Sequence, residues 1–581
     1  MESIDITSEG LRQLGYTIQK QGLIIVVRSN DGSYSRGFTI YRNEWNKTVK
    51  QIEKALEKDG FEQFTISAVL KELTDNYDVL IMKNTKMSQE QQVQKTQLQE
   101  LKMEPKATKS NCTTEQWSLE LQKKYNHLRT TADEQVPGLW LPLEFAISIK
   151  CILNIRNISL PFIGIILGPP SSLKSVAVDM LKYARDTFST DNFSPKAFVS
   201  HNSNMTEEEL QENDLLPKMK NKLFLVSELA PLFGTKDDEL ANIIGIITRI
   251  ADGNGYFSDS GARGHRGYPG PLMFVWMSAA VDIPYKVHKI LSILGPKLYF
   301  LRLPMSVKEE DDLLHAMQQD NFRERCKIVK QALFDYLECL ESCPSMEIEP
   351  ESGIPKLQWN STDPRQEQAQ RYIIYMAELL AYLRGTVSTW KTEDTQGLDY
   401  AYTSRNVENP ERAITQLHNL AKGHALSQGR DHIAVYDDLP LITKVVLSGA
   451  VSIERVKVLN ALLAKPECGY MTVNELAEVI NVSDTTAKKA MVELKALGLV
   501  DIIELGEDGR PLLQMRLKDN FVWFYGEEFK KLKGNYTPGD FKNHLVKKKN
   551  SDSNSNSKKT AAGKGNEGHN DGYVGGTQTT W

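Results

Sequence analysis

No stretch of this 581-residue chain stays apolar for the roughly 18 to 20 positions a membrane helix needs, so no membrane partner is expected. The opening M-E-S-I-D-I lacks the basic start and apolar run of a secretory signal, and a cytoplasmic protein is the expectation. A basic excess is missing too. The formal net charge is −5, so bulk composition does not announce a nucleic-acid binder. Cysteine is scarce and scattered, at positions 112, 151, 326, 339, 343 and 468. Cys339 and Cys343 are four apart, but no second Cys/His pair completes a zinc set, and reduced thiols are expected.

What is present is a long, soluble, mixed composition, 40% hydrophobic and 25% charged, too long for one core. Three or four folding units are expected. The stretch that organises them is P-F-I-G-I-I-L-G-P-P-S-S-L-K-S, residues 161–175. The run Phe162 to Leu167 reads as a strand buried on both faces, broken by Gly168-Pro169-Pro170. Ser171, Ser172 and Leu173 follow, then Lys174-Ser175 and a helical pattern, V-A-V-D-M-L-K-Y-A. Strand, loop, Lys-Ser and helix form the layout of a phosphate-binding loop. Backbone N–H groups face the phosphates, Lys174 reaches the terminal ones and the Ser175 hydroxyl ligates Mg²⁺. Leu173 replaces the second glycine of the usual pattern and demands a slightly different backbone. A buried strand followed by a helix with an exposed lysine is the plainer alternative.

Residues 1–85 read as a small α/β domain. Two strand-like runs flank Asn30-Asp31-Gly32, and W-N-K-T-V-K-Q-I-E-K-A-L-E-K has helical spacing. Residues 86–113 read as a flexible linker, with six glutamines between Gln89 and Gln99. Beyond the loop, K-A-F-V-S-H (196–201) is a candidate second strand. Thr206 and Glu209 are spaced as a capping box. Leu223 to Val226 form a buried strand ending at Ser227-Glu228, where P-loop ATPases usually carry Asp-Glu. Glu228 is then a base for water and a metal-side group, while Ser227 leaves metal binding to lean on Ser175. A solvated strand-end carboxylate is the alternative. Residues 252–271 hold six glycines in twenty, a flexible hairpin or loop carrying Arg263, His265 and Arg266. Two further buried strands follow, at L-M-F-V-W-M-S-A-A with Ser278 at its polar end, and at 297–304.

Strand ends carrying Lys174, Glu228 and Ser278 in this order resemble the AAA+ ATPase core, within it the branch of minichromosome-maintenance-like helicases. The resemblance spans roughly residues 115–460. It implies ATP and Mg²⁺ at residues 168–175, Glu228 as the hydrolytic glutamate and Ser278 as sensor 1. It also implies a channel hairpin at 252–271 that touches DNA, and a homo-oligomeric ring, a hexamer. The segment before the fourth strand is similar to the family's arginine-finger stretch; Lys297 stands nearest, with Arg263, Arg266 and Arg302 as competitors. A helical lid follows over 305–465, with Arg412 matching the sensor-2 arginine best and Arg405 second; an exposed arginine at a helix start is the alternative.

The C-terminal pattern is read from its own residues. M-T-V-N-E-L-A-E-V-I, the turn N-V-S and D-T-T-A-K-K-A-M-V-E-L form two helices, and two strand runs flank Glu507-Asp508-Gly509. This is a winged helix-turn-helix over 466–530. Its second helix offers Thr485, Thr486, Lys488 and Lys489 to DNA. The same module also serves as a protein-docking unit. Residues 540–581 read as a disordered tail. The expected fold class is therefore multidomain α/β: a P-loop core over 114–304 with a parallel sheet and flanking helices, a helical lid, a winged helix and a small N-terminal domain. The expected function is an ATP-hydrolysing, helicase-like motor on DNA, with an ATP-switched regulator as the alternative.

Overall fold

The computed structural model describes most of residues 3–75, together with 112–261, 264–304, 321–391, 400–465, 469–505, 512–538 and positions 314 and 317. The expected linker, apart from its last two residues, and the expected tail lie outside the described residues. So do Arg263 and the Glu507-Asp508-Gly509 turn. The chain divides into two units, residues 1–102 and 103–581.

The first unit is a four-stranded antiparallel sheet in sequential order: β1 (Ser3–Asp5), β2 (Tyr16–Gln21), β3 (Ile24–Ser29) and β4 (Ser35–Thr39). Helices α1 (Trp45–Lys58) and α2 (Gln63–Asp75) follow. The β3–β4 hairpin turns at Asn30-Asp31 as the sequence implies, and Asp31 Oδ1 accepts from Ser33 N at 3.0 Å. Ile18, Ile25, Val27 and Phe38 from the sheet meet Ile52, Leu56, Ile66, Val69 and Leu73 from the helices in one core.

The second unit begins with α3 (Thr114–Gln135), started by a Thr113/Gln116 capping box, and α4 (Trp140–Cys151). Then come β5 (Phe162–Leu167), α5 (Lys174–Met180), β6 (Thr187–Thr190), α6 (Glu207–Asn213), α7 (Leu215–Met219) and β7 (Leu223–Val226). Next are α8 (Ala230–Phe233), α9 (Asp237–Ile250), the hairpin β8 (Gly255–Ser260) and β9 (Gly264–Pro269), β10 (Val275–Ala280), α10 (Tyr285–Leu294) and β11 (Leu298–Arg302). Five of these strands form a wholly parallel sheet of order β11-β5-β10-β7-β6. The second strand is Thr187–Thr190 and not 196–201; there, Ala197 closes a short 3-10 turn and Phe198 is buried.

Every residue of β5 is buried, which explains the unbroken apolar run. Ile163, Ile165 and Leu167 enter a core with Met219 of α7 and Ile243 and Ile247 of α9. The opposite face meets α4, where Gly164 lies beside Phe145 and Ile149. Register fixes the edges. Leu167 pairs with Ala280 and Arg302, while Val226 pairs with Ser278 and Thr190. All five strands therefore end on one edge of the sheet and begin on the other.

The remaining helices are α11 (Phe322–Glu341), α12 (Glu367–Leu383), α13 (Glu411–Ser427) and α14 (Val435–Ser448). The small ribbons β12 (Met346–Ile348) with β13 (Pro355–Leu357) and β14 (Thr389–Lys391) with β15 (Tyr400–Tyr402) are interleaved with them. The C-terminal part starts earlier than position 466. Helix α15 (Ile453–Leu463), capped by Ser452, packs on α16 (Val473–Ile480) and α17 (Asp484–Leu497). With them stands an antiparallel sheet of β16 (Met471–Thr472), β17 (Val500–Leu505) and β18 (Leu512–Leu517), in the order β16-β18-β17. Helix α18 (Glu527–Lys533) closes the described chain against α14.

Candidate functional site

The loop after β5 turns sharply, and two of its residues are left-handed. Ser171 has φ 65° and Leu173 φ 64°, and Leu173 is the N-cap of α5. The expected alternative backbone is not what forms. Leu173 takes the conformation that glycine adopts freely, at a cost of roughly 1–2 kcal/mol for a side chain with a Cβ. Gly168 lies close to Ser172, since a Cβ there would lie 2.7 Å from Ser172 Oγ and force that hydroxyl to turn away. Ser172 Oγ is itself buried and has no hydrogen-bond partner. Lys174 is 5% exposed, and its ammonium folds back onto Pro169 O at 3.3 Å. Ser175 is the second residue of α5.

Neighbouring strand ends crowd the loop. Gly168 N donates to Ala280 O at 3.3 Å, and Leu303 N to Leu167 O at 2.7 Å. Leu229 N bonds Ala279 O at 2.8 Å, which sets Ser227 and Glu228 at the same edge. Ser227 Oγ donates to Asp179 Oδ1 at 2.8 Å, and Glu228 Oε1 accepts from Ala230 N at 3.2 Å. At the end of β11, the Arg302 guanidinium holds Asp282 Oδ1 at 2.8 Å.

Ser278 does not stand at the end of its strand, as expected for a sensor. β10 continues to Ala280, and Ser278 is fully buried, its Oγ accepting from Trp276 Nε1 at 2.6 Å. The polar residue just past the strand is Asp282. Its signal was available as the first carboxylate after the apolar run.

Lys297 and Arg412 belong to the other edge. Lys297 precedes β11, and Gln416, one turn after Arg412 in α13, donates to Pro161 O ahead of β5 at 2.7 Å. Six strand residues at about 3.3 Å each put roughly 20 Å between them and the loop. There both cations grip Asp252: Lys297 Nζ at 2.7 Å and the Arg412 guanidinium at 2.5 Å, with Lys297 also donating to Thr248 O. Burial pulls the Lys297 ammonium below the usual lysine range, against the pull of Asp252. Burial likewise opposes ionisation of Asp252, but Lys297 and Arg412 outweigh it and hold the carboxyl below its usual range. As a sensor beside its own loop, Arg412 is therefore corrected to a structural clamp. Arg405, the second candidate, donates to Leu497 O at 2.8 Å and ties the 400–410 segment to α17.

Asp252 is the root of the β8–β9 hairpin. The hairpin pairs regularly from Gly255 with Pro269 to Ser260 with Gly264. At its base, Gly255 has φ 82° and no room for a Cβ, which would lie 2.2 Å from Tyr268 O. Its shaft is fixed by Arg266, which is 7% exposed. The guanidinium bonds Asp214 Oδ2 at 2.5 Å, Ser200 O at 2.8 Å, Glu207 Oε1 at 3.1 Å and the Tyr268 hydroxyl at 3.0 Å. The expectation that Arg266 meets DNA is thus corrected, because its donors are spent inside the fold. Arg263 lies outside the described residues. Near the tip, exposed Phe257 stacks on the His265 ring with centroids 5.1 Å apart, a pair the sequence reading passed over.

On α17, Thr485, Thr486 and Lys489 are exposed and Lys488 is half-buried. Thr486 is partly engaged in the N-cap, its Oγ1 3.0 Å from Ser483 Oγ. The Tyr400 hydroxyl of β15 leans on Thr485 O at 3.4 Å.

No family model matches the chain, and no curated protein is similar to it. Among solved structures, it is similar to the one titled "The A form apo structure of NrS-1 C terminal region-CTR", with 10% sequence identity. That alignment covers 88% of this chain and 98% of the other, at a TM-score of 0.22, too loose a superposition to bear on fold or function. No described helix is long and apolar enough to cross a membrane.

Proposed function

We propose that this chain binds ATP in the 168–175 loop and hydrolyses it as a helicase-like motor on DNA, working as a hexameric ring of copies. The observation that carries this reading is the loop itself. It leaves the central region of a parallel sheet at the strands' C-terminal edge, where ligands of such sheets bind. It holds two left-handed non-glycine residues, strain of the kind that collects at ligand sites. The buried, partnerless Ser172 hydroxyl and the tight approach at Gly168 fit phosphate oxygens and backbone N–H donors. Lys174, now bonded weakly to Pro169 O, has a contact it exchanges readily for a phosphate.

Roles follow from placement. Gly168, Pro169, Pro170, Ser171, Ser172 and Leu173 form the cradle, and Lys174 neutralises the terminal phosphates. Glu228 orients and deprotonates the attacking water. Mg²⁺, held on the Ser175 and Glu228 side, supplies charge neutralisation across the terminal phosphates. Besides Lys174, Arg302 is a cation on the loop's edge of the sheet, its strand position paired with Leu167, while Lys297 would have to leave Asp252 to act in a neighbouring copy. For DNA, the Phe257–His265 pair offers a stacking surface, and Thr485, Lys488 and Lys489 offer phosphate contacts.

A second reading is favoured by the locked cations. With Arg266, Lys297 and Arg412 all spent on internal carboxylates, the chain also suits an ATP-switched regulator with little turnover. Steady-state ATPase assays with and without single-stranded DNA separate the two. The motor requires DNA-stimulated turnover that disappears in Lys174→Ala and Glu228→Gln. Turnover surviving both changes overturns the site. Tight ATP binding without DNA-dependent turnover selects the regulator.

A further inference from the structure

The strand-end position that usually supplies a carboxylate beside a phosphate loop is Ser227 here, and its surroundings show where a carboxylate comes from instead. Ser227 Oγ donates to Asp179 Oδ1 at 2.8 Å. Asp179 lies four residues after Ser175 on α5, so the two share one helix face with roughly 5–6 Å between their Cβ atoms. Most other structural carboxylates of this unit are committed to cations: Asp214 to Arg266, Asp252 to Lys297 and Arg412, Asp282 to Arg302, Asp438 to Arg430. Asp179 is exposed and takes part in no ion pair among the described residues. It and Glu228 are carboxylates beside the loop that form no ion pair among the described residues; Asp179 feels only the longer-range charge of Lys330.

We propose that Asp179 replaces the missing strand-end carboxylate, so that Ser175 and Asp179, on one helix, hold the divalent cation that accompanies the nucleotide, with Ser227 orienting Asp179. This rests on the nucleotide reading above. Mg²⁺ suits such a place because it keeps several waters and needs only one or two protein oxygens besides the phosphates. The hydrogen bond from Ser227 fixes the carboxylate as an outer-shell partner does around a metal. The exchange also accounts for Ser at 227: an aspartate there would face Asp179 directly.

The test is ATP binding by the full chain in equilibrium dialysis, with Mg²⁺ or with a chelator, alongside Mn²⁺ binding by electron paramagnetic resonance in the presence of ADP. The wild-type chain is expected to bind ATP in chelator and to gain affinity with Mg²⁺. Asp179→Asn is expected to keep the chelator affinity and lose about tenfold in Mn²⁺ affinity. The exchange variant Asp179→Ser with Ser227→Asp is expected to recover it. Unchanged Mn²⁺ affinity in Asp179→Asn overturns the proposal and leaves the nucleotide reading standing, as does a folded exchange variant that recovers nothing. A wild-type chain that binds no ATP overturns both.

Discussion

At the C-terminal edge of the parallel sheet, Ser172 Oγ is buried without a partner, Leu173 is held left-handed, and Asp179 and Glu228 form no ion pair among the described residues. At the N-terminal edge, roughly 20 Å away, Asp252 is gripped by both Lys297 and Arg412, and Gln416 closes onto Pro161. One edge carries strain and polar groups outside any ion pair, and the other is closed by ion pairs and hydrogen bonds, with only Arg412 Nη1 and Gln416 Oε1 left unpartnered among the groups named there. On the proposed reading, that asymmetry separates a place that receives a ligand from a place that holds the sheet to the helices after it. Charge alone does not reveal the difference, since both edges carry lysine, arginine and carboxylate.

The largest expected contrast comes from removing one group at each edge. Asp252→Ala strands buried Lys297 and half-buried Arg412 without their shared carboxylate, and urea unfolding is expected to show a loss of about 3 kcal/mol. Lys174→Ala, at the loop, is expected to cost less than about 1 kcal/mol of stability while abolishing nucleotide-dependent turnover. Equal destabilisation by the two changes would erase the distinction between the edges.

The satisfied region continues along α13, the helix that carries Arg412, and there it is expected to be pH-sensitive. His424 Nδ1 lies 2.7 Å from Asp438 Oδ1 and Nε2 lies 3.5 Å from Glu144 Oε1. Burial alone would lower its pKa, but the two carboxylates outweigh burial and raise it to about 9. A raised folded-state pKa contributes stability that is fully present below about pH 6.5 and is lost as pH rises through about 9. The contribution is on the order of 3 kcal/mol. Wild-type stability should therefore fall across that window, and His424→Gln, less stable at pH 6, should lose less; parallel pH curves for the two proteins would remove the histidine from the network.

The smallest effect concerns backbone strain. Ser171→Gly, at φ 65° and exposed, is expected to stabilise the chain by about 0.5 to 1 kcal/mol. Asn157→Gly, at φ 61° ahead of β5, should change melting little, because asparagine tolerates that conformation. A larger gain at Asn157 than at Ser171 would place the stored strain on the wrong edge.

Much of the parallel sheet was legible because fully buried strands announce themselves as unbroken apolar runs, as Phe162 to Leu167 and Leu223 to Val226 do. The same runs locate Lys174 and Glu228 at strand ends. That Lys297 lies away from its own loop was also legible: it precedes its strand, and in a parallel sheet every strand start lies on the edge opposite the loops. The roles of Arg266 and Arg412 were illegible because their partners, Asp214 and Asp252, lie 52 and 160 residues away in sequence. Ser278 was taken for the polar end of a strand that runs on to Ala280. Asp179 went unnoticed because its relation to Ser227 crosses from helix to strand.

Binding of radiolabelled ATP to the full-length chain, wild type against Lys174→Ala, bears most directly on the claim that the strained edge receives a nucleotide. Saturable binding by the wild-type chain, weakened at least about tenfold by Lys174→Ala with its fold intact, is the expected result. Absence of binding at millimolar ATP, or equal binding by both proteins, would contradict it.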